Sequence, residues 1–512
     1  MTTAKTYSSC IIGINTCDIE IEADIQGGLP AFQIVGLPDA AIRESRNRIR
    51  SAIKNSGFHF PSSKITINLA PAHIRKEGSA FDLPIALSIL AAGGMINGDP
   101  AKEFIFCGEL SLDGRLKPVK GALPIVMGLV DSARKMIILP KENAKESLSL
   151  KGIGVFICGD LKEVVDFLNN KIALEPLQGT EPEVLLKRSP RYKVDFSDVK
   201  GQEHVKRGLE VAASGGHNVL LIGPPGSGKS MLAKRLPTIL SDMTLEESLE
   251  TSKIHSVAGL LSPNKGLLGA RPFRAPHHSI SDKALIGGGS NPSPGEISLS
   301  HNGVLFLDEL PEFRRNVLEV LRQPLEEGYI TISRISGTVR YPSRITLVCA
   351  MNPCPCGSFT DPNKECHCTP YQIQRYLSKI SGPLLDRIDI HLEAPRLKYE
   401  HLTDKRRGQT SEAIRKRVEE ARAIQKKRYQ DDGILFNAHL ESKDIERYCI
   451  LTQEAEGLLK MAILELGISA RAYDKILKVS RTIADLENAG TIEDHHISEA
   501  ISYRSLDRNL WG

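Results

Sequence analysis

The stretch NVLLIGPPGSGKS, residues 218–230, decides the fold. Val219 to Ile222 form an apolar run that reads as a buried strand, and SMLAKRLPTIL continues as a helix. Between them Gly223, Pro224, Pro225, Gly226, Ser227, Gly228, Lys229 and Ser230 fit the pattern GxxxxGK[ST]. Glycines let the backbone wrap closely, so its N–H groups and the helix N-terminus face bound phosphates. Lys229 places a cation on the β- and γ-phosphates, and the Ser230 hydroxyl suits Mg²⁺. ATP and Mg²⁺ are therefore the expected ligands, held on an α/β unit.

Further polar residues follow at the ends of apolar runs. NGVLFLDEL, residues 302–310, ends a second buried strand in Asp308 and Glu309. Asp308 is expected to hold Mg²⁺ through water, and Glu309 to polarise an attacking water as general base. RITLVCAMN, residues 344–352, delivers Asn352, whose amide can orient that water or touch the γ-phosphate. SGPLLDRIDIH places Arg387 among acids. Two readings stay open for it: a pair with Asp386 or Asp389, or a cation that enters a neighbouring subunit's site. Arg471 opens a helix in GISARAYDKIL and could reach nucleotide across a helical lid.

Around this unit the chain divides into blocks. At 512 residues it is too long for one core. The composition, 41% hydrophobic and 25% charged with net charge +4, is that of a soluble globular protein and no polycation. No apolar run reaches transmembrane length and no signal peptide is evident, so a cytoplasmic protein with reduced thiols is expected. Residues 1–170 mix strand-like runs with helices and read as an α+β domain. In DAAIRESRNRIRSAIKNSG, Ala41, Ile42, Ser45, Ile49, Ala52 and Ile53 share one helical face. DLPIALSILAAGGM is apolar nearly all round and predicts a buried helix. Residues 171–195 read as a linker, 196–398 as the α/β core, and 399–512 as an all-α domain. In the basic run 405–428, Ile414, Val418, Ala421 and Ile424 give a core face, leaving the cations to solvent or to an outer contact.

Four of the ten cysteines, Cys354, Cys356, Cys366 and Cys368, crowd into MNPCPCGSFTDPNKECHCTP, just after Asn352. Four thiolates suit tetrahedral Zn²⁺. The C-x-C spacing is tighter than the usual C-x2-C, so a reduced or redox-responsive cluster and a disulfide pair stay open beside zinc. His277 and His278 could suggest another metal, but neighbours in regular structure point apart.

The phosphate loop, LFLDE, MN, LLDR and SAR in this order resemble an AAA+ ATPase of the helix-2-insert group. RPFRAPHHSISDKALIGGGSNPSPGEISLSHNGVLFLDELPEF looks like the magnesium-chelatase ATPase subunit, and the whole chain resembles the ComM/YifB family of magnesium-chelatase-like proteins. The first block is similar to the Lon protease catalytic domain through GLPAFQIVGLPD, INLAPAHIRKEGSAFDLPIAL and GELSLDGRLKPVKGALP. There Ala80 falls where the nucleophilic serine would be, beside Ser79, and Leu123 where the lysine would be, with Lys117 and Lys120 nearby. The resemblance thus implies the fold without the proteolysis. It further implies a hexameric ring that acts on single-stranded or branched DNA, a branch-migration helicase in recombination and natural transformation. The alternative is a chelatase-like or chaperone-like remodeller of protein partners. If the family architecture holds, Arg274 and Lys283 of the insert, with Arg334 and Arg340 of a hairpin around Ser336-Gly337, face DNA in a central pore; the bland reading leaves them solvated.

Overall fold

The computed structural model describes residues 3–504 except 98–101, 145, 148–149, 151, 179–181, 183, 185, 187–191, 262–265, 290–291, 335–336, 360–363, 398–407 and 467–468. The boundary expected at 398/399, part of the linker and Ser336 of the expected turn lie outside the described residues.

The N-terminal block is a seven-stranded mixed sheet. Its strands are β1 (Thr3–Ile12), β2 (Asn15–Gln26), β3 (Ala31–Val35), β4 (Lys64–Ala70), β5 (Phe104–Phe106), β8 (Met136–Pro140) and β9 (Gly154–Cys158), in the order β3-β4-β2-β1-β5-β8-β9. A small hairpin, β6 (Glu109–Leu110) and β7 (Leu116–Lys117), stands apart. The helix Ala40–Asn55 starts at Asp39, whose side chain accepts from Ile42 N, and buries Ile42, Ser45, Ile49, Ala52 and Ile53. That is the face the periodicity predicts, except that Ala41 stays half-buried. Helix Asp82–Ala92 buries every residue from Asp82 to Leu90, as its all-round apolar character requires. Asp82, buried in that helix, is paired with Arg48 at 2.7 Å.

The second block is a five-stranded sheet of β10 (Val219–Ile222), β11 (Phe273–Arg274), β14 (Gly303–Leu307), β17 (Ile345–Met351) and β18 (Ile390–Glu393). Every pairing is parallel, in the order β11-β14-β17-β10-β18. The runs are continuous hydrophobics because helices cover both faces. Two antiparallel pairs project from it: β12 (Gly287–Gly288) with β13 (Ser293–Pro294), and β15 (Tyr329–Arg334) with β16 (Gly337–Pro342).

Beyond residue 407 the described chain is helical: Ser411–Arg428, Ser442–Tyr448, Gln453–Leu466, Ala470–Leu486 and Asp494–Ser502. These helices share one core with the sheet, in which Leu209, Val219 and Ile390 meet Ile414, Val418, Ile476 and Ile483. In the basic helix Gln425, rather than Ile424, completes the buried face and donates to Ser214 O at 3.0 Å. No helix among the described residues is long and apolar enough to cross a membrane.

A buried ionic knot locks the helical region. Arg481 is 1% exposed, and its Nε donates to Asp485 Oδ1 at 3.1 Å. Arg428 NH1 (3.0 Å) and Asn437 Nδ2 (2.9 Å) donate to Asp485 Oδ2. Removing the shared anion leaves buried Arg481 and largely buried Arg428 without their common carboxylate. Asp485→Ala is expected to destabilise the helical region by about 3–5 kcal/mol, read as a downward shift of its urea transition. An unchanged midpoint would show the knot to be dispensable.

Candidate phosphate-binding site

The parallel ladder sets the site. β10, β14 and β17 end side by side, and the residues just past their C-termini converge on one crevice. A cleft of about 350 Å³ opens there, lined by Pro225, Gly226, Gly228, Lys229, Ser230, Met231, Asp308, Glu309, Met351 and Asn352. Gly226 and Gly228 sit at φ +79° and +89°, which favours glycine. A Cβ on Gly223 would lie 2.1 Å from Ala394 O, so the residue just past β18 leaves room for nothing larger.

The polar groups form a connected set. Lys229 Nζ donates to Gly223 O (2.7 Å), Pro224 O (3.0 Å) and Asn352 Oδ1 (3.2 Å). Burial pushes its pKa below the ordinary lysine value, with the Asp308 charge opposing. The Ser230 hydroxyl donates to Asp308 Oδ2 at 2.6 Å. Ser227, 1% exposed, has a hydroxyl with no partner. That orphaned hydroxyl and the glycine cradle fit a phosphate, and the Ser230–Asp308 pair offers hard oxygen donors suited to Mg²⁺.

Glu309 lines the cleft and sits at φ +54°, an unusual conformation for a non-glycine residue. His278 Nδ1 lies 3.3 Å from Glu309 Oε2. The His278 ring is 4.0 Å from that of His277 and 6.4 Å from that of Phe313. The expectation that the two histidines point apart is thus corrected: they lie outside regular structure in the segment 275–278, where the alternation rule does not apply. Their sequence signal was visible, but nothing in it pointed to Glu309. Gln202 was missed altogether. Its side chain donates to Ser227 O (3.2 Å) and Pro395 O (2.6 Å), bracing the loop from outside.

Arg387 and Arg471 are not among the residues that line this cleft. Arg387 donates to Glu326 and to Pro383 O, and Arg471 pairs with Asp386. Burial, then the charges of Arg322 and Arg471, push Arg387 below the ordinary arginine pKa, and its Nε is buried without an acceptor. Three guanidiniums therefore cluster away from the chain's own loop.

The basic candidates divide. Arg274 makes a bidentate pair with Glu296, both bonds 2.6 Å. Arg271 is tied to Ser241 O, Asn302 O and Glu247. Lys283, Arg334 and Arg340 are exposed, the last lying 4.9 Å over the Tyr329 ring. The four cluster cysteines come together beside the loop. In the N-terminal block Ser79 donates to Glu109, and Ala80 packs against an apolar core. Leu123 is fully buried against Leu261 and Leu267 of the second block.

Comparison with known proteins places these features. Family models described as "Magnesium chelatase, subunit ChlI", "Subunit ChlI of Mg-chelatase" and "Magnesium chelatase, subunit ChlI C-terminal" match residues 195–402, 21–143 and 408–504. "Uncharacterized protein YifB" of Salmonella typhimurium is 44% identical over 514 residues, covering 100% of this chain and 98% of the relative. "Competence protein ComM" of Haemophilus influenzae is 44% identical over 511 residues, covering 100% and 99%. The chain belongs to the ComM/YifB family of magnesium-chelatase-like AAA+ proteins. The "Magnesium-chelatase 38 kDa subunit" of Cereibacter sphaeroides is more distant, 25% identical over 174 residues, 31% of this chain and 52% of that one. Within the family the parallel core and the helical C-terminal region are the expected parts.

Proposed function

We propose that the protein is a cytoplasmic, ATP-driven ring motor that acts on single-stranded or branched DNA, promoting branch migration during recombination. The observation that carries this reading is the joining of Lys229, Ser230, Asp308, Glu309 and Asn352 around one phosphate-sized cleft, in a chain similar from end to end to a competence protein. Bound Mg²⁺–ATP would supply the phosphoryl group and spread its charge, with Ser230 and Asp308 as the metal's residues. The chain's own groups do the rest. Lys229 exchanges its loop carbonyls for phosphate oxygens. Glu309 accepts the proton of the attacking water, and His278 holds the carboxylate in place. Asn352 positions that water. Lys283, Arg334 and Arg340 contact the DNA backbone without reading sequence, so binding weakens as salt rises. Arg274, committed to Glu296, keeps the insert in shape. We read the first block as a Lon-type fold without peptidase activity, because buried Leu123 stands where a base is needed.

The alternative is a chelatase-like or chaperone-like engine that remodels protein partners, a reading that draws on the match to magnesium-chelatase family models. DNA-stimulated turnover separates the two. ATPase activity of the purified protein is expected to rise with forked or single-stranded DNA, while casein stays intact in the same tubes. No response to any DNA would reject the motor reading. In that assay Glu309→Gln should bind ATP but lose turnover by about a hundredfold or more. His278→Ala should lose about tenfold, on the order of 1.4 kcal/mol for a side chain that stands beside the Glu309 carboxylate at 3.3 Å. Normal turnover by Glu309→Gln would show the base to be wrongly assigned.

The Arg322, Arg387 and Arg471 cluster is proposed to meet the nucleotide of an adjacent subunit. Arg387→Ala should bind ATP yet hydrolyse it poorly. Mixing it with Lys229→Ala protein should restore part of the activity, since some interfaces then carry both intact groups. Absence of rescue at every mixing ratio would place the arginine's action within its own subunit.

A further inference from the structure

The sulfurs of Cys354, Cys356, Cys366 and Cys368 all lie within 4.8 Å of one another. Three of the separations are 3.3, 3.7 and 3.6 Å. A disulfide needs about 2.05 Å, and all four thiols are free. Four thiolates at the Zn–S distance of about 2.3 Å stand about 3.8 Å apart at the corners of a tetrahedron. The observed spacing is thus close to that of a single tetrahedral ion, and too tight to enclose an iron–sulfide cluster. The disulfide alternative is set aside on this geometry.

The surroundings are built for ligation. The Gly357 N–H donates to Cys354 O at 3.0 Å and closes a tight turn over the first two thiols. The CPCG turn depends on Gly357 at φ +80°. Cys354 is fully buried, while Cys356 is exposed. The segment has few apolar anchors of its own, so something other than a hydrophobic core must hold it.

Its position is specific. A Cβ on Gly357 would come 2.6 Å from Pro225 Cδ and 3.8 Å from Asn352 Cγ, so the turn rests directly on the phosphate loop. On the far side Thr369, next to Cys368, caps the helix Pro370–Leu377. The cluster therefore rests on the phosphate loop and Asn352 at one end and runs straight into a capped helix at the other.

We propose that Cys354, Cys356, Cys366 and Cys368 bind one structural Zn²⁺, which clamps the outer wall of the phosphate loop through Gly357–Pro225 and Asn352. Only the clamp's effect on nucleotide depends on the ATP reading; the metal site stands on the sulfur geometry.

Protein purified without a histidine tag or chelators is expected to contain about one Zn²⁺ per chain by elemental analysis. Replacing the metal with Co²⁺ should give the thiolate charge-transfer and tetrahedral ligand-field bands. Cys354→Ser with Cys366→Ser should lose the metal. Because that variant could fail to fold, wild-type protein is also stripped with an organomercurial and reloaded with Zn²⁺. Stripping should weaken ATP binding severalfold and reloading should restore it. Metal far below one per chain with four freely titrating thiols, or iron in place of zinc, overturns the site. Full metal with ATP binding indifferent to its removal overturns the clamp while leaving the site. Failure of ATP binding even in the zinc-loaded protein would count against the ATP reading instead.

Discussion

The structure depends on β10 lying between β17 and β18 in a parallel ladder. Val219 pairs with Val348 on one side and Ile390 on the other. Parallel pairing is the weaker kind, and here side chains at the strand's start secure it. Asn218 Oδ1 accepts from Leu347 N, and its Nδ2 donates to Arg387 O, each at 2.8 Å. His217, fully buried, lies 3.2 Å from Asp389 and 2.8 Å from Thr482. Burial opposes the Asp389 charge, but the His217 hydrogen bond and the charges of His217, Lys475 and Lys478 outweigh it and hold the carboxyl low. One edge of the strand is thus tied to β17, the Arg387 loop and the C-terminal helices at once. A slip of one residue would part Lys229 from Asn352 and Ser230 from Asp308.

This explains which parts were legible in the sequence. The phosphate loop and the Asp308–Glu309 pair are local: an apolar run, a turn and a few polar residues carry their meaning within one short stretch of chain. The face of Ala40–Asn55 is local too. What the sequence hid depends on contacts over long separations. Gln202 reaching Ser227 and Pro395, and His278 reaching Glu309, need the tertiary fold to exist first. Gln425 displaces Ile424 from the buried face because Ser214 O offers it a partner across the helix pair. The cysteines were legible as a cluster, whereas their spacing and the contact of their turn with Pro225 of the phosphate loop were not.

Arginines illustrate the same limit. Composition treats Arg271, Arg274, Arg334 and Arg340 alike, yet they occupy two physical states. The first two meet carboxylates and carbonyls in half-buried positions, where a charge without partners would be costly. The other two are exposed on paired strands of a projecting hairpin. A positive charge in a sequence becomes a candidate for a partner molecule only after the internal acceptors have been assigned.

Leu123 carries the argument into the N-terminal block. It packs on Leu261 and Leu267, close to where helices Ala122–Gly128 and Leu245–Val257 meet. A second contact joins the blocks at the hairpin: a Cβ on Gly13 would lie 2.7 Å from Val339 Cγ1. The first block therefore touches the projecting β15–β16 pair and the helix that precedes the FRAPHHS segment. On the proposed reading, the exposed arginines belong to that hairpin and the partner of Glu309 to that segment. The apolar anchor at Leu123 and the close approach at Gly13 thus tie the first block to both elements at once, so a displacement of either element would be felt across the sheet of the first block.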